Sequence, residues 1–277
     1  MNNPSRPRAI VFDFDGTLTR ADFDGPFERA LFTCLEAREG LALDAPRLDA
    51  DRAADVVVDG RPVVRAGADP WILGVFRASR ALAAEGVGEA AAKAMIARHF
   101  RSAIDQEPAP FRDGVRPLFE ALRPRDVLCF IVSNSPEAAI RARLAAASVD
   151  AGAVSIVGDA QKFSLTDAER PLARGWQSNL GESRRFEGAP RATSLRRGRY
   201  LDALARVCES ARCTIDELTV VGDVFELDLA IPSLLGARVH AVAHQGFASW
   251  ERDAVESRIG RAASSIPSIA DLFALET

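Results

Sequence analysis

Val11-Phe12-Asp13-Phe14-Asp15-Gly16-Thr17-Leu18-Thr19 decides how this chain folds. The apolar run Ala9-Ile10-Val11-Phe12 stops abruptly at Asp13. A short unbroken apolar run opening into a polar loop is the pattern of a buried parallel strand, covered on both faces. Two carboxylates one residue apart then lie just beyond its carboxyl end, at the sheet edge where ligands of doubly wound proteins bind. Gly16 and Thr17 would serve equally in a simple acidic turn, so the meaning of the pair depends on the rest of the chain.

Working outward, further apolar runs occur at 127–132, 154–157, 218–221 and 237–242, each after a segment of helical periodicity or composition. Strands alternating with helices predict an α/β fold, a doubly wound Rossmann-like parallel sheet with helices on both faces. More than 100 residues separate the first two runs. A single crossover helix needs far fewer, so an inserted, mainly α-helical module is predicted there. In it, Pro26 opens a helix with Phe27, Ala30, Leu31, Cys34 and Leu35 on one face and Gly40 as its stop. Asp69-Pro70 opens a second helix from Trp71, 89–104 is a third, and 56–64 reads as a hairpin about Asp59-Gly60, with Pro62 against it. The expected division is 1–22 with 112–277 as the core and 23–111 as the insertion. Residues 116–122 then read as a helix, Ser135-Pro136-Glu137 opens another, and 163–194, without clear period, reads as a long irregular surface excursion.

Composition bounds the partners. The chain of 277 residues is 48% hydrophobic and 27% charged, with a net charge of -4 and acid and base interspersed. No basic stripe is present to neutralise nucleic-acid phosphates, so nucleic acid is not an expected partner. No apolar run approaches the length of a membrane span, and a cytoplasmic protein is expected. Cys34, Cys129, Cys208 and Cys213 lack paired CxxC spacing and read as reduced structural thiols. His240 and His244 are four apart in what reads as a strand, where that spacing does not build a zinc pair.

The chain resembles the haloacid dehalogenase superfamily. Asp13-Phe14-Asp15-Gly16-Thr17 matches its first motif, including the apolar strand before it; Ser133, closing Cys129-Phe130-Ile131-Val132-Ser133-Asn134, stands where its second motif has serine or threonine; and Thr219-Val220-Val221-Gly222-Asp223, with Asp228 beyond, resembles its fourth. For the third motif, a lysine or arginine, two candidates compete: Lys162, and the pair Arg196 and Arg197 at the start of a helix. Lys162 is preferred because a compact ammonium is the commoner choice beside the aspartate, and the arginines would then bind phosphate or the rest of the substrate.

The resemblance implies a strand order 3-2-1-4-5, with the helical insertion as a cap, and a magnesium-dependent phosphatase acting on a small phosphorylated metabolite. In that scheme Asp13 attacks phosphorus and Asp15 serves as general acid and base. Magnesium would be held by the carboxylates of Asp13 and Asp223 and the main-chain carbonyl of Asp15, with Asp228 orienting its surroundings or the cationic residue. Ser133, Lys162, Thr17, Asn134 and Arg197 would contact the phosphoryl group or substrate. An acid at Asp15 favours phosphate chemistry over dehalogenation, since a departing halide needs no proton. A phosphomutase and a non-catalytic binding protein of the same fold are the alternatives.

Overall fold

The computed structural model describes residues 7–20, 25–43, 50–106, 108–122, 127–150, 152, 154–242, 244–257 and 264–266. The opening strand, β1 (Ala9–Phe12), has all four side chains buried. Ala9 and Val11 pack into one apolar cluster and Ile10 and Phe12 into another, one on each face of the sheet. That two-sided burial is why the strand reads as a continuous apolar run rather than an alternating one.

After β1 come α1 (Pro26–Glu39), the short α2 (Ala50–Ala53), the strands β2 (Asp55–Val58) and β3 (Arg61–Arg65), α3 (Pro70–Ala84) and α4 (Glu89–Gln106). The ends of α1 follow the sequence signals: proline in the first turn, and at the last a left-handed Gly40 whose N–H donates to the Glu36 carbonyl. Asp69 caps α3, its carboxylate accepting from Trp71 N at 2.7 Å and Ile72 N at 3.0 Å. The hairpin turns on Asp59 and Gly60, with φ of 49° and 72°, the left-handed pair that a tight two-residue hairpin requires. Helices α1, α3 and α4 bury Phe27, Leu31, Leu35, Ala78, Leu82 and Ile96 together. Within that module Arg77 is nearly buried between Glu28 (2.9 Å) and Asp51 (3.1 Å).

The chain then runs through α5 (Val115–Leu122), β4 (Leu128–Val132), α6 (Glu137–Ala146) and β5 (Val154–Val157). The expectation of an irregular 163–194 is corrected here: it holds α7 (Pro171–Leu180) and the antiparallel pair β6 (Ser183–Arg185) and β7 (Ala192–Ser194). On α7 only Ala173 is buried, and β6 is wholly exposed, so neither leaves an apolar period in the sequence. Next follow α8 (Gly198–Ala211), β8 (Leu218–Gly222), a π-helical turn at Phe225–Leu229, α9 (Ala230–Leu235), β9 (Arg238–Val242), α10 (Ser249–Ser257) and β10 (Ser264–Ile266).

One parallel sheet in the order β10-β9-β8-β1-β4-β5 organises these elements. Its five expected strands stand in the implied order, and β10 adds a sixth beyond β9. Phe12 pairs with Ile131 of β4 on one side and Val221 of β8 on the other, so the three strands end level. The chain divides into two compact units: Met1–Arg20, Val57–Val63 and Phe111–Thr277 in one, Ala21–Val56 and Val64–Pro110 in the other. Val57–Val63 of the hairpin thus groups with the sheet, whereas the sequence reading assigned all of 23–111 to the insertion. No helix of the described residues is long and apolar enough to cross a membrane.

Candidate active site

Level strand ends deliver the acidic groups to one place. The sheet's hydrogen bonding continues one residue past β1 and β4, with Asp13 N donating to Val221 O at 2.9 Å and Ser133 N to Val157 O at 3.1 Å. Beyond Asp13 the chain turns sharply through Gly16, φ +85°. A Cβ on Gly16 would lie 2.0 Å from Asp223 Oδ2, so only glycine lets the two loops approach this closely. The buried Thr17 hydroxyl donates to Asp223 Oδ1 at 2.9 Å. Arg112 donates twice to the Gly16 carbonyl, at 2.6 and 3.1 Å, clamping the turn.

Lys162 closes the site from the β5 side. Its Nζ stands 2.7 Å from both Asp13 Oδ1 and Asp228 Oδ1, and its side chain is only 2% exposed. Burial alone would lower the lysine pKa, but the Asp13 and Asp228 carboxylates outweigh it and hold the ammonium well above the ordinary range. Asp13 is pushed up, chiefly by burial, with Lys162 opposing. The loop carrying the lysine holds two non-glycine residues at positive φ, Asp159 (51°) and Gln161 (46°). It is pinned by Ala160 N to Ser133 O (2.9 Å) and Lys162 N to Asn134 Oδ1 (2.8 Å). Asp228 also accepts from Val224 N through Oδ2 (3.0 Å), while the Tyr200 hydroxyl donates to its main-chain oxygen at 2.6 Å.

Asp15 stands on the α6 side of this cluster. Ser135 Oγ donates to its Oδ2 at 2.6 Å and Arg143 NH1 to its Oδ1 at 3.3 Å. The Arg143 guanidinium stacks over the rings of Phe14 (4.9 Å) and Phe111 (5.7 Å). Burial raises the Asp15 pKa, opposed by the Ser135 hydrogen bond and the charge of Arg143. A carboxyl group biased toward its protonated form suits proton donation.

The family model for haloacid dehalogenase-like hydrolases matches residues 7–175, more than half of the chain. This protein belongs to that family. Among solved structures, a haloacid dehalogenase-like fold with the same extent recurs at low sequence identity. A predicted phosphoglycolate phosphatase from Haemophilus somnus 129PT superimposes with a TM-score of 0.59 at 13% identity, covering 99% of this chain and 100% of that one. The magnesium-bound HAD-hydrolase YfnB from Bacillus subtilis gives 0.52 at 15%, covering 98% and 99%. A dehalogenase with an intermediate complex gives 0.50 at 16%, covering 98% and 97%. At such identities these likenesses establish the fold. No curated protein matches the sequence.

Of the residues that sequence singled out in this hydrolase, Asp13, Asp15, Thr17, Ser133, Asn134, Lys162, Asp223 and Asp228 gather at the ends of β1, β4, β5 and β8. Arg197 does not face the cluster, contrary to its expected place on the substrate. It is fully buried and donates to three main-chain carbonyls, which take up its guanidinium. Arg196 lies on the surface in a two-pronged pair with Asp167 (2.7 and 2.8 Å). Sequence reasoning missed Ser135, Arg143, Arg112, Tyr200 and His244. His244 was read only as a strand residue; its Nδ1 accepts from Gly246 N (2.9 Å), so Nε2 carries the proton toward the Asp223 carbonyl, 2.9 Å away.

Among the described residues, the group of carboxylates and imidazoles close enough to share an ion is Asp13, Asp223 and Asp228, whose oxygens lie within 4.8 Å of one another. All are hard oxygen donors, which suit magnesium better than zinc or copper. Both oxygens of Asp228 accept hydrogen bonds, Oδ1 from Lys162 Nζ and Oδ2 from Val224 N.

Proposed function

We propose that this hydrolase is a magnesium-dependent phosphatase for a small phosphorylated metabolite, acting through a phosphorylated Asp13. One observation carries the reading: a buried ammonium, Lys162, is shared at 2.7 Å by two aspartates beside a third, while a separate carboxyl, Asp15, is biased toward its acid form. A carboxylate attacking a phosphate must overcome the repulsion of like charges, and cations fixed in advance remove most of that barrier.

Asp13 forms an O–P bond as the ester O–P bond breaks, and Asp15 gives its proton to the departing oxygen. In the second half, Asp15 takes a proton from water as that water attacks phosphorus, releasing phosphate and restoring Asp13. Lys162 offsets charge on Asp13 and the phosphoryl oxygens, Ser133 contacts one of those oxygens, and Asp228 holds Lys162 in line. Magnesium, held by the carboxylates of Asp13 and Asp223 and the Asp15 carbonyl, would supply further neutralisation of phosphoryl charge. The acid at Asp15 favours a phosphatase over a dehalogenase, because an alkoxide needs a proton on leaving and a halide does not.

The test is magnesium-dependent phosphate release across a panel of phosphorylated sugars, nucleotides and small acids, with Asp13→Asn as control. Turnover by the wild type alone supports the reading. Equal turnover by the variant refutes the mechanism, and no turnover of any compound refutes the activity.

A further inference from the structure

Arg197 carries a buried guanidinium that the chemistry above leaves unused. Its three donor nitrogens reach main-chain oxygens of its own approach and of two segments remote in sequence: Nε to Ser194 O at the end of β7 (3.0 Å), NH1 to Lys162 O (3.1 Å) and NH2 to Val63 O in β3 (2.6 Å). A planar fork with donors in fixed directions can hold three carbonyls at once, a task for which a lysine ammonium is poorly shaped. Lys162 needs such an anchor. No helix or strand follows it until α7, so its carbonyl has no ladder to enter, and the loop before it contains the strained Asp159 and Gln161. Strained backbone persists only when the surroundings over-determine it.

We infer that Arg197 is a positioning residue, fixing the main chain of Lys162 and tying the β2–β3 hairpin, through Val63, to the ammonium between Asp13 and Asp228. The inference rests on the catalytic role proposed for Lys162. Its consequence is that the hairpin acts on turnover through a buried tether, with the guanidinium making no contact with Asp13 or Asp15.

The chain has only two lysines, Lys93 and Lys162, and Lys93 is exposed. Lysine labelled with nitrogen-15 at the side chain therefore gives one rapidly exchanging ammonium signal and one protected signal, assigned by Lys162→Ala. In Arg197→Met the protected signal shifts or broadens, and kcat on p-nitrophenyl phosphate with magnesium falls on the order of 10- to 100-fold while KM stays within about threefold. Arg197→Lys, which keeps the charge and loses the fork, stays impaired. Val255→Ala, a buried change on α10, matches the stability loss and keeps both the signal and kcat. An unshifted signal with normal kcat in Arg197→Met, or full recovery in Arg197→Lys, overturns the inference. Should neither Arg197 variant fold, Gly60→Val decides: it strains a residue at φ +72° and loosens the hairpin. Reduced kcat and a moved signal then support the tether, and wild-type values overturn it. If Lys162→Ala retains full turnover, the catalytic reading of the lysine fails on its own, while the labelled signal still tests the tether.

Discussion

Replacing Gly16 with alanine probes how closely the two acidic loops must approach. The new methyl carbon would stand 2.0 Å from Asp223 Oδ2, where an ordinary contact begins near 3.4 Å, so the carboxylate or the turn has to retreat by more than 1 Å. Alanine at φ +85° adds a backbone cost of about 1–2 kcal/mol. Displacing a reacting group by about 1 Å costs on the order of 100-fold in rate. Gly40→Ala separates the two effects: Gly40 also has positive φ (69°), but a Cβ there meets nothing within 4 Å. Both variants should lose thermal stability, measured by circular dichroism melting, and Gly16→Ala the more, because its clash adds to the shared backbone cost. Only Gly16→Ala should lose kcat, measured on p-nitrophenyl phosphate across a magnesium series. Equal kcat in the two variants would refute the argument that this crossing sets the geometry of the site.

Asp13→Asn should abolish turnover, by on the order of 10^4-fold or more, in a variant that still melts cooperatively by circular dichroism, although at a shifted temperature because the change also removes one charge of the buried pair with Lys162. Lys162→Met leaves two buried carboxylates without their shared ammonium; it should cost about 3–5 kcal/mol in urea unfolding and silence the enzyme, and a smaller loss than 1 kcal/mol would contradict the assigned pairing. Asp15→Asn should slow an alkyl phosphate by about 10^2- to 10^4-fold but p-nitrophenyl phosphate far less, since nitrophenolate leaves without a proton; equal slowing of both would remove Asp15 as the acid. Burial pushes the Cys129 and Cys208 thiols up to about 11 and about 12, so iodoacetamide at neutral pH should leave both unmodified by mass spectrometry and activity intact.

The sheet was legible because its strands are buried on both faces and so announce themselves as bare apolar runs, from Ala9-Ile10-Val11-Phe12 to 237–242. The hairpin was legible from Asp59-Gly60, whose left-handed pair admits few other residues. Helix α7 and strands β6 and β7 were not, because they lie over the core with almost no buried apolar side chain of their own. The three residues of β10 are too few to show any period. In the site, the aspartates, Ser133 and Lys162 could be reached through the resemblance of their motifs to the haloacid dehalogenase family, with Lys162 in competition with Arg196 and Arg197. Ser135 and Arg143 could not, since their value lies in reaching Asp15 from another element. Arg197 misled for a physical reason: a cation before a helix is usually solvated, and only the convergence of three carbonyls makes its burial tolerable.

Because β1 is flanked by β4 and β8, protein synthesis imposes an order of events on this molecule. A growing polypeptide displays its first strand with both edges bare until residues 128–132 emerge, and with one edge bare until 218–222 emerge. Until that point it also holds Asp13 with none of the carboxylates contributed by Asp223 and Asp228. Late pairing of such distant strands slows folding and leaves sticky edges in the waiting chain. Products cut short before β8 should therefore be both chemically inert and prone to aggregate.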